Sequence, residues 1–214
     1  MLAQRGETVM VGGVDKPRTI HPLFVRVTHW VNAFAIFVMV LSGWRIYNAS
    51  PLFGFEFPKD FTLGGWLAGA LAWHFAAMWL LALNGLAYLA YGLVSGHFRR
   101  SFMPISLRGA FDDVLFAMRG LLDHAPGRYN AAQRVFYVGV ILAVIVAILS
   151  GLAIWKPVQL QTLTALMGGY ETARRVHFFA MATIVAFLVV HIGLAVSVKG
   201  ILAPMFTGRA ETPR

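Results

Sequence analysis

Four histidines of this chain stand inside apolar sequence: His29, His74, His177 and His191. His177 and His191 share a single run, "RRVHFFAMATIVAFLVVHIGLAV", and are 14 residues apart. On an α-helix that separation falls about 40° short of four full turns and covers about 21 Å along the axis. Both imidazoles therefore face one side of the same helix at two different heights, and no single small metal site uses both. A neutral histidine hydrogen-bonded to a neighbouring helix is the plainer use of any one of the four, but it gives no reason for a shared face. Two stacked haems, each taking one axial ligand from this helix, use both the face and the spacing. Each iron then needs a second ligand from another helix, and the remaining apolar-segment histidines supply them.

The elements that must position these ligands lie in a bilayer. Of 214 residues, 58% are hydrophobic and 13% charged, too apolar a balance for an ordinary water-soluble domain. Four runs, approximately Val25 to Tyr47, Trp66 to Val94, Gln133 to Trp155 and Thr172 to Lys199, each exceed the roughly 20 residues needed to span the hydrocarbon as a helix. The opening stretch "MLAQRGETVMVGGVDKPRTI" is polar and lacks the pattern of a cleaved signal, so residues 1–22 are expected to be a retained N-terminal tail. Of the 18 Lys and Arg, 13 fall before the first run, between the second and third, or from Lys199 onward; only Arg45, Lys59, Lys156, Arg174 and Arg175 fall on the other side. The positive-inside rule places both termini and the middle connection in the cytoplasm. The expected architecture is an all-α integral membrane four-helix bundle, with the bundle domain over 23–200 and a cytoplasmic C-terminal tail over 201–214. In the middle connection, Leu107, Phe111, Val114, Leu115, Met118 and Leu122 recur at helical spacing, with Arg108, Asp112, Asp113 and Arg119 elsewhere around the wheel. That pattern suits an amphipathic helix lying on the cytoplasmic interface between helices two and three; a docking surface for a soluble partner is the competing use.

Several function classes drop out. The absence of cysteine excludes disulfides, c-type haem attachment and thiolate-held iron–sulfur clusters. All nine acidic residues lie in tails, loops or at span ends, as Glu56, Asp60 and Glu171 do, which leaves no buried carboxylate chain for a proton pump. The net charge of +9 reads as topology signal and lipid-headgroup contact, not nucleic-acid binding. His21, His97 and His124 lie in polar flanks, where a solvated side chain is the default.

Topology selects the pairs. His29 lies near the start of a helix entering from the cytoplasm, and His191 lies in the cytoplasmic half of a helix returning to it, so they belong together. His74 and His177 both lie on helices entering from outside and form the second pair. One difficulty is that His74 comes about 15 Å after Gly64 at helical rise, which is deep unless the span begins nearer Gly69. Spans one and three also end in similar phrases, "LSGWRIY" and "LSGLAIW", a weak internal resemblance of a kind that is generic at helix ends.

The segments "RVTHWVNAFAIFVMVLSGW", "WHFAAMWLLALNGLAYLAYGLVSGHFRRS", "RYNAAQRVFY" and "RRVHFFAMATIVAFLVVHIG" together resemble the bacterial cytochrome b561 and nickel-iron hydrogenase b-type cytochrome superfamily, over about Arg18 to Gly200. Within it they most resemble the small di-haem subunits that accompany molybdopterin oxidoreductases, thiosulfate reductase and formate dehydrogenase. The resemblance implies two b haems, ligated as His29 with His191 and His74 with His177. It also implies electron transfer between a quinone and a redox partner across the bacterial inner membrane. The partner on this reading is an extracytoplasmic, molybdopterin-type oxidoreductase subunit. A self-sufficient superoxide:quinone oxidoreductase and a haem-free scaffold or transporter are the alternatives, and haem content and a co-purifying partner separate them. Arg26, one turn before His29, and Arg174 and Arg175, just before His177, are placed to meet haem propionates, with interfacial snorkelling the competing use. Asn32 and Asn84 suit a haem edge, a quinone or an interhelical hydrogen bond. Gly65 and Gly69 have the spacing of a close helix approach. The outer loops, around "NASPLFGFEFPKDF" and "KPVQLQTLTALMGGYE", suit a partner or quinone head as well as interface anchoring.

Overall fold

A computed structural model describes residues 22–96, 105–119, 130–197 and 202–208. Among these residues the chain is all helical, with no strand. Four long helices, α1 (Leu23–Ala49), α2 (Leu67–Val94), α4 (Ala131–Trp155) and α6 (Tyr170–Ser197), hold 27, 28, 25 and 28 residues. At helical rise each is about 37–42 Å long, more than the hydrocarbon core requires. Their bounds lie within two residues of those expected from hydropathy. Large apolar side chains such as Phe37, Trp79, Leu83, Val94 and Val189 point outward, as lipid-facing surface requires. What is buried is mostly small: beside Val38, Val40, Leu81 and Ile184, the interior is lined by Ala35, Ala70, Ala77, Ala153, Ala173 and Ala180, letting backbones approach as membrane helices do.

The helices pair as two antiparallel hairpins. α1 packs closely on α2 and α4 on α6, whereas backbone approaches between the hairpins are few. Asn84 ties the first hairpin together, donating to the Thr28 carbonyl at 2.8 Å and to Asn32 Oδ1 at 2.7 Å, so these two asparagines make the interhelical hydrogen bond. The second hairpin starts on a capping box, in which Asn130 accepts from the Gln133 backbone N–H at 2.8 Å and Gln133 reaches back to the Asn130 N–H.

The short elements position the ends, and one of them, α5 (Gln161–Leu166), connects α4 to α6. α3 (Leu107–Met118) occupies the middle connection as its periodicity predicts, and Asp113 accepts from the Ala132 N–H at 3.0 Å, fastening it to the start of α4. Leu107, Phe111 and Phe116 on it are exposed. Leu122 lies outside the described residues, as do His21, His97, His124 and residues 1–21. Within the expected C-terminal tail a short helix, α7 (Leu202–Thr207), folds back on α1: Phe206 stacks on Trp30 with ring centres 4.7 Å apart, and Trp30 Nε1 donates to the Met205 carbonyl at 3.2 Å.

Gly65 and Gly69 do not bring two helices together. Gly65 has nothing near its missing Cβ, and a Cβ at Gly69 would lie 2.3 Å from the Gly64 carbonyl oxygen in the loop just before α2. Gly64 is constrained from the other side of the same turn, at φ +107°, where a Cβ would lie 2.4 Å from the Ala70 backbone. This tight turn starts α2 at Leu67. It places His74 seven residues into its helix, as deep as His177 lies in α6, and so removes the difficulty over its depth.

Candidate functional site

α6 carries two of the four histidines and faces both helices of the first hairpin. His191 meets His29 of α1 with ring centres 6.0 Å apart and planes at 56°. His177 meets His74 of α2 at 6.4 Å and 68°. The structure therefore brings together the two pairs that topology selects. An imidazole nitrogen bonds a first-row metal ion at about 2 Å and lies about 1.1 Å from its own ring centre, so two rings ligating one iron from opposite sides have centres roughly 6 Å apart. Both pairs have that spacing. Both also lie across the seam between hairpins, where backbone approaches are few. A flat macrocycle held by two histidines fits such a seam. No group of three or more His, Cys, Asp or Glu that would hold a metal ion by protein ligands alone occurs among the described residues.

The His74/His177 pair is held by several contacts. His74 Nδ1 lies 3.1 Å from the Met39 carbonyl and 3.1 Å from Ser42 Oγ, both on α1. His177 Nδ1 lies 2.9 Å from the Ala147 carbonyl and 3.2 Å from Ser150 Oγ, both on α4. A carbonyl oxygen only accepts, so Nδ1 carries the proton and donates in each case, leaving the Nε2 lone pair to bind a metal. Beneath each ring is a glycine. A Cβ on Gly43 would lie 3.5 Å from His74 Cε1, and one on Gly151 only 3.1 Å from His177 Cε1. The repeated "LSG" phrase thus has a physical reason: each copy seats a histidine of the following membrane helix. In the His29/His191 pair, His191 stacks on Phe187 at 5.4 Å and 15°.

The arginines are placed differently from one another. Arg174 pairs with Glu171 at 3.2 Å and donates to the Ser50 carbonyl at 2.5 Å, joining the start of α6 to the end of α1. Arg26 donates to the Phe206 carbonyl. Arg175 is exposed and makes no hydrogen bond or ion pair among the described residues. Beside the His74/His177 pair, the loop between α1 and α2 closes as an aromatic cluster: Phe57 stacks on Trp44 at 4.6 Å, and Tyr47 and Phe53 both meet Phe178, the neighbour of His177. Asn48 fixes the loop by exchanging two hydrogen bonds with the Phe57 backbone, at 2.7 and 2.9 Å.

The family model of prokaryotic cytochrome b561 matches residues 20–208. The chain belongs to that family. It is 53% identical over 190 residues to a protein of Azospira oryzae provisionally named a protein-methionine-sulfoxide reductase subunit, covering 88% of this chain and 96% of that one. It is 27% identical over 209 residues to a nickel-iron hydrogenase B-type cytochrome subunit, also provisionally named, of Bradyrhizobium diazoefficiens, covering 87% and 83%. To the cytochrome b556 subunit of formate dehydrogenase of Escherichia coli K12 it is 25% identical over 189 residues, covering 86% and 81%. The resemblance read from the histidine-bearing segments is therefore correct at the level of the family. As a b561-family cytochrome the chain is a membrane protein of electron transport, and the b-type family implies haem b. Ser42, Gly43, Ser150 and Gly151 are the site residues that sequence reasoning passes over. Their signal was the repeated phrase itself.

Proposed function

We propose that this cytochrome holds two b haems, one between His29 and His191 and one between His74 and His177, and carries electrons across the bacterial inner membrane between a quinone and an extracytoplasmic oxidoreductase. The observation that carries this reading is the pair of facing imidazoles, 6.0 and 6.4 Å apart, at two heights along α6. When bound, each haem supplies a one-electron centre. The chain's own residues would hold it, with Nδ1–H of His74 and His177 engaged by carbonyls so that Nε2 is left to bind the iron. Apart from Glu171 in the first turn of α6, no carboxylate lies within the spans to relay protons. Arg175 is free to meet a propionate, whereas Arg26 and Arg174 would do so only by giving up the carbonyls they hold.

Both termini and α3 lie on the cytoplasmic side in this reading, with α3 on the lipid interface through Leu107, Phe111 and Phe116. The aromatic cluster around Tyr47, Phe53 and Phe57 then lies outside, next to the His74/His177 pair. The name of the Azospira relative, the most similar of the three, points to a reductase of sulfoxide-type substrates as the partner docking there; a molybdopterin enzyme fits that role. Electrons on this route run from quinol to the outer partner.

The cytochrome reconstituted in vesicles with its termini inward tests the route. Haems reduced by quinol are expected to be reoxidised when oxidised partner is added outside, and His74→Ala is expected to abolish that reoxidation. Reoxidation only from the inner face, or one unaffected by His74→Ala, defeats the proposal.

A further inference from the structure

Ser42 and Ser150 are each 0% exposed. A serine in an apolar helix commonly turns its hydroxyl back onto its own helix and needs no other role. These two do so, donating to the Val38 and Val146 carbonyls at 2.7 and 2.6 Å. That use leaves a second contact unexplained. With its proton committed to its own helix, each Oγ can only accept, and it accepts from the Nδ1–H of a histidine on the adjacent helix, at 3.1 Å for His74 and 3.2 Å for His177. The next residue is glycine both times, and its bare Cα lets the ring lie against the helix. Both copies serve the outer pair. His191 makes no hydrogen bond among the described residues.

We propose that Ser42–Gly43 and Ser150–Gly151 are matched positioning residues that set the ring orientation and the potential of the outer haem, an inference that rests on the two-haem reading above. A ligating imidazole whose Nδ1–H meets a stronger set of acceptors becomes a better electron donor to the metal. The two serines add a second acceptor to each ring beyond the Met39 and Ala147 carbonyls. They act on both axial ligands of one iron and so favour its ferric state. The outer haem is thereby held at a lower potential than the backbone carbonyls alone would set, which suits a centre that hands electrons to a partner outside. The glycines fix the angle between the two rings, 68°, by excluding any side chain beneath them.

Redox titration followed by optical and low-temperature electron paramagnetic resonance spectra of the purified cytochrome tests this. Ser42→Ala and Ser150→Ala are each expected to keep both haems and shift the outer haem toward the ferrous state about fivefold, the effect of one ordinary hydrogen bond. That is an upward shift of about 40 mV, at about 59 mV per tenfold for one electron. The double variant shifts further, the inner haem stays put, and Ser42→Thr, which keeps the hydroxyl, stays near the parent. Gly151→Ala is expected to alter the outer low-spin signal more than Gly43→Ala, because its Cβ crowds the ring at 3.1 rather than 3.5 Å. Loss of the outer haem alone in a serine variant also supports a positioning role. Unchanged potentials in a double variant that retains both haems, or an inner haem that moves as far as the outer, overturns the proposal. A parent protein with fewer than two haems instead overturns the ligand reading beneath it.

Discussion

Alanine at His74 or His177 is expected to delete one and the same haem component from the reduced-minus-oxidised spectrum, and alanine at His29 or His191 the other. On the proposed ligation the effect is large because each iron would have only two protein bonds. Removing one imidazole leaves a site with a single ligand and an open axial position, so the haem is either lost or converted to a high-spin form. The grouping follows from contacts: His29 faces His191 and His74 faces His177, while α6 holds the two levels apart by four turns. Spectra and haem content of the four variants, purified in parallel, check it. A grouping of His29 with His177 contradicts the topology. Loss of the same component from all four contradicts the pairing itself.

Depleting the protein of haem is expected to lower its thermal transition by an amount on the order of 20 °C. The two hairpins share few backbone approaches, and the side-chain packing that joins α1 and α2 to α4 and α6 is limited, its aromatic part being contacts such as Tyr47–Phe178 and Phe75–Trp155. A ligand at a thousandfold above its Kd stabilises the state that binds it by about 4 kcal/mol, and two haems contribute about twice that. For a chain of this size each kcal/mol moves the transition by roughly 2–4 °C. The individual helices should persist without haem, because in lipid their backbone hydrogen bonds have no alternative partner. Thermal unfolding of protein made under haem limitation, compared with the holoprotein in the same detergent, provides the measurement. Coincident transitions would mean that the hairpins hold each other without the cofactor.

The four spans and the partners of the histidines were legible because helical rise and topology convert sequence position into depth. His177 and His191 needed only counting. His74 resisted, since its depth depends on where α2 begins. That is decided by a turn at Gly64 whose closeness to Ala70 is a tertiary contact. The "LSG" repeat was visible but mute for the same reason: periodicity places Ser42 and Ser150 on their helices and does not say which histidine crosses over to them. Arg26 and Arg174 illustrate the limit for charged groups. Their position near a histidine was readable, but the Phe206 and Ser50 carbonyls that hold them come from segments 180 and 124 residues away. The α7 helix escaped attention because six residues carry too little pattern to distinguish a docked turn from a tail.

The central claim is that this chain holds two haems, each between two histidines. The haem-to-protein ratio of the purified cytochrome, taken with the spin state of its iron, tests it most directly. The expected result is a ratio of two with both irons low-spin. A ratio of one, or high-spin iron at both sites, contradicts it.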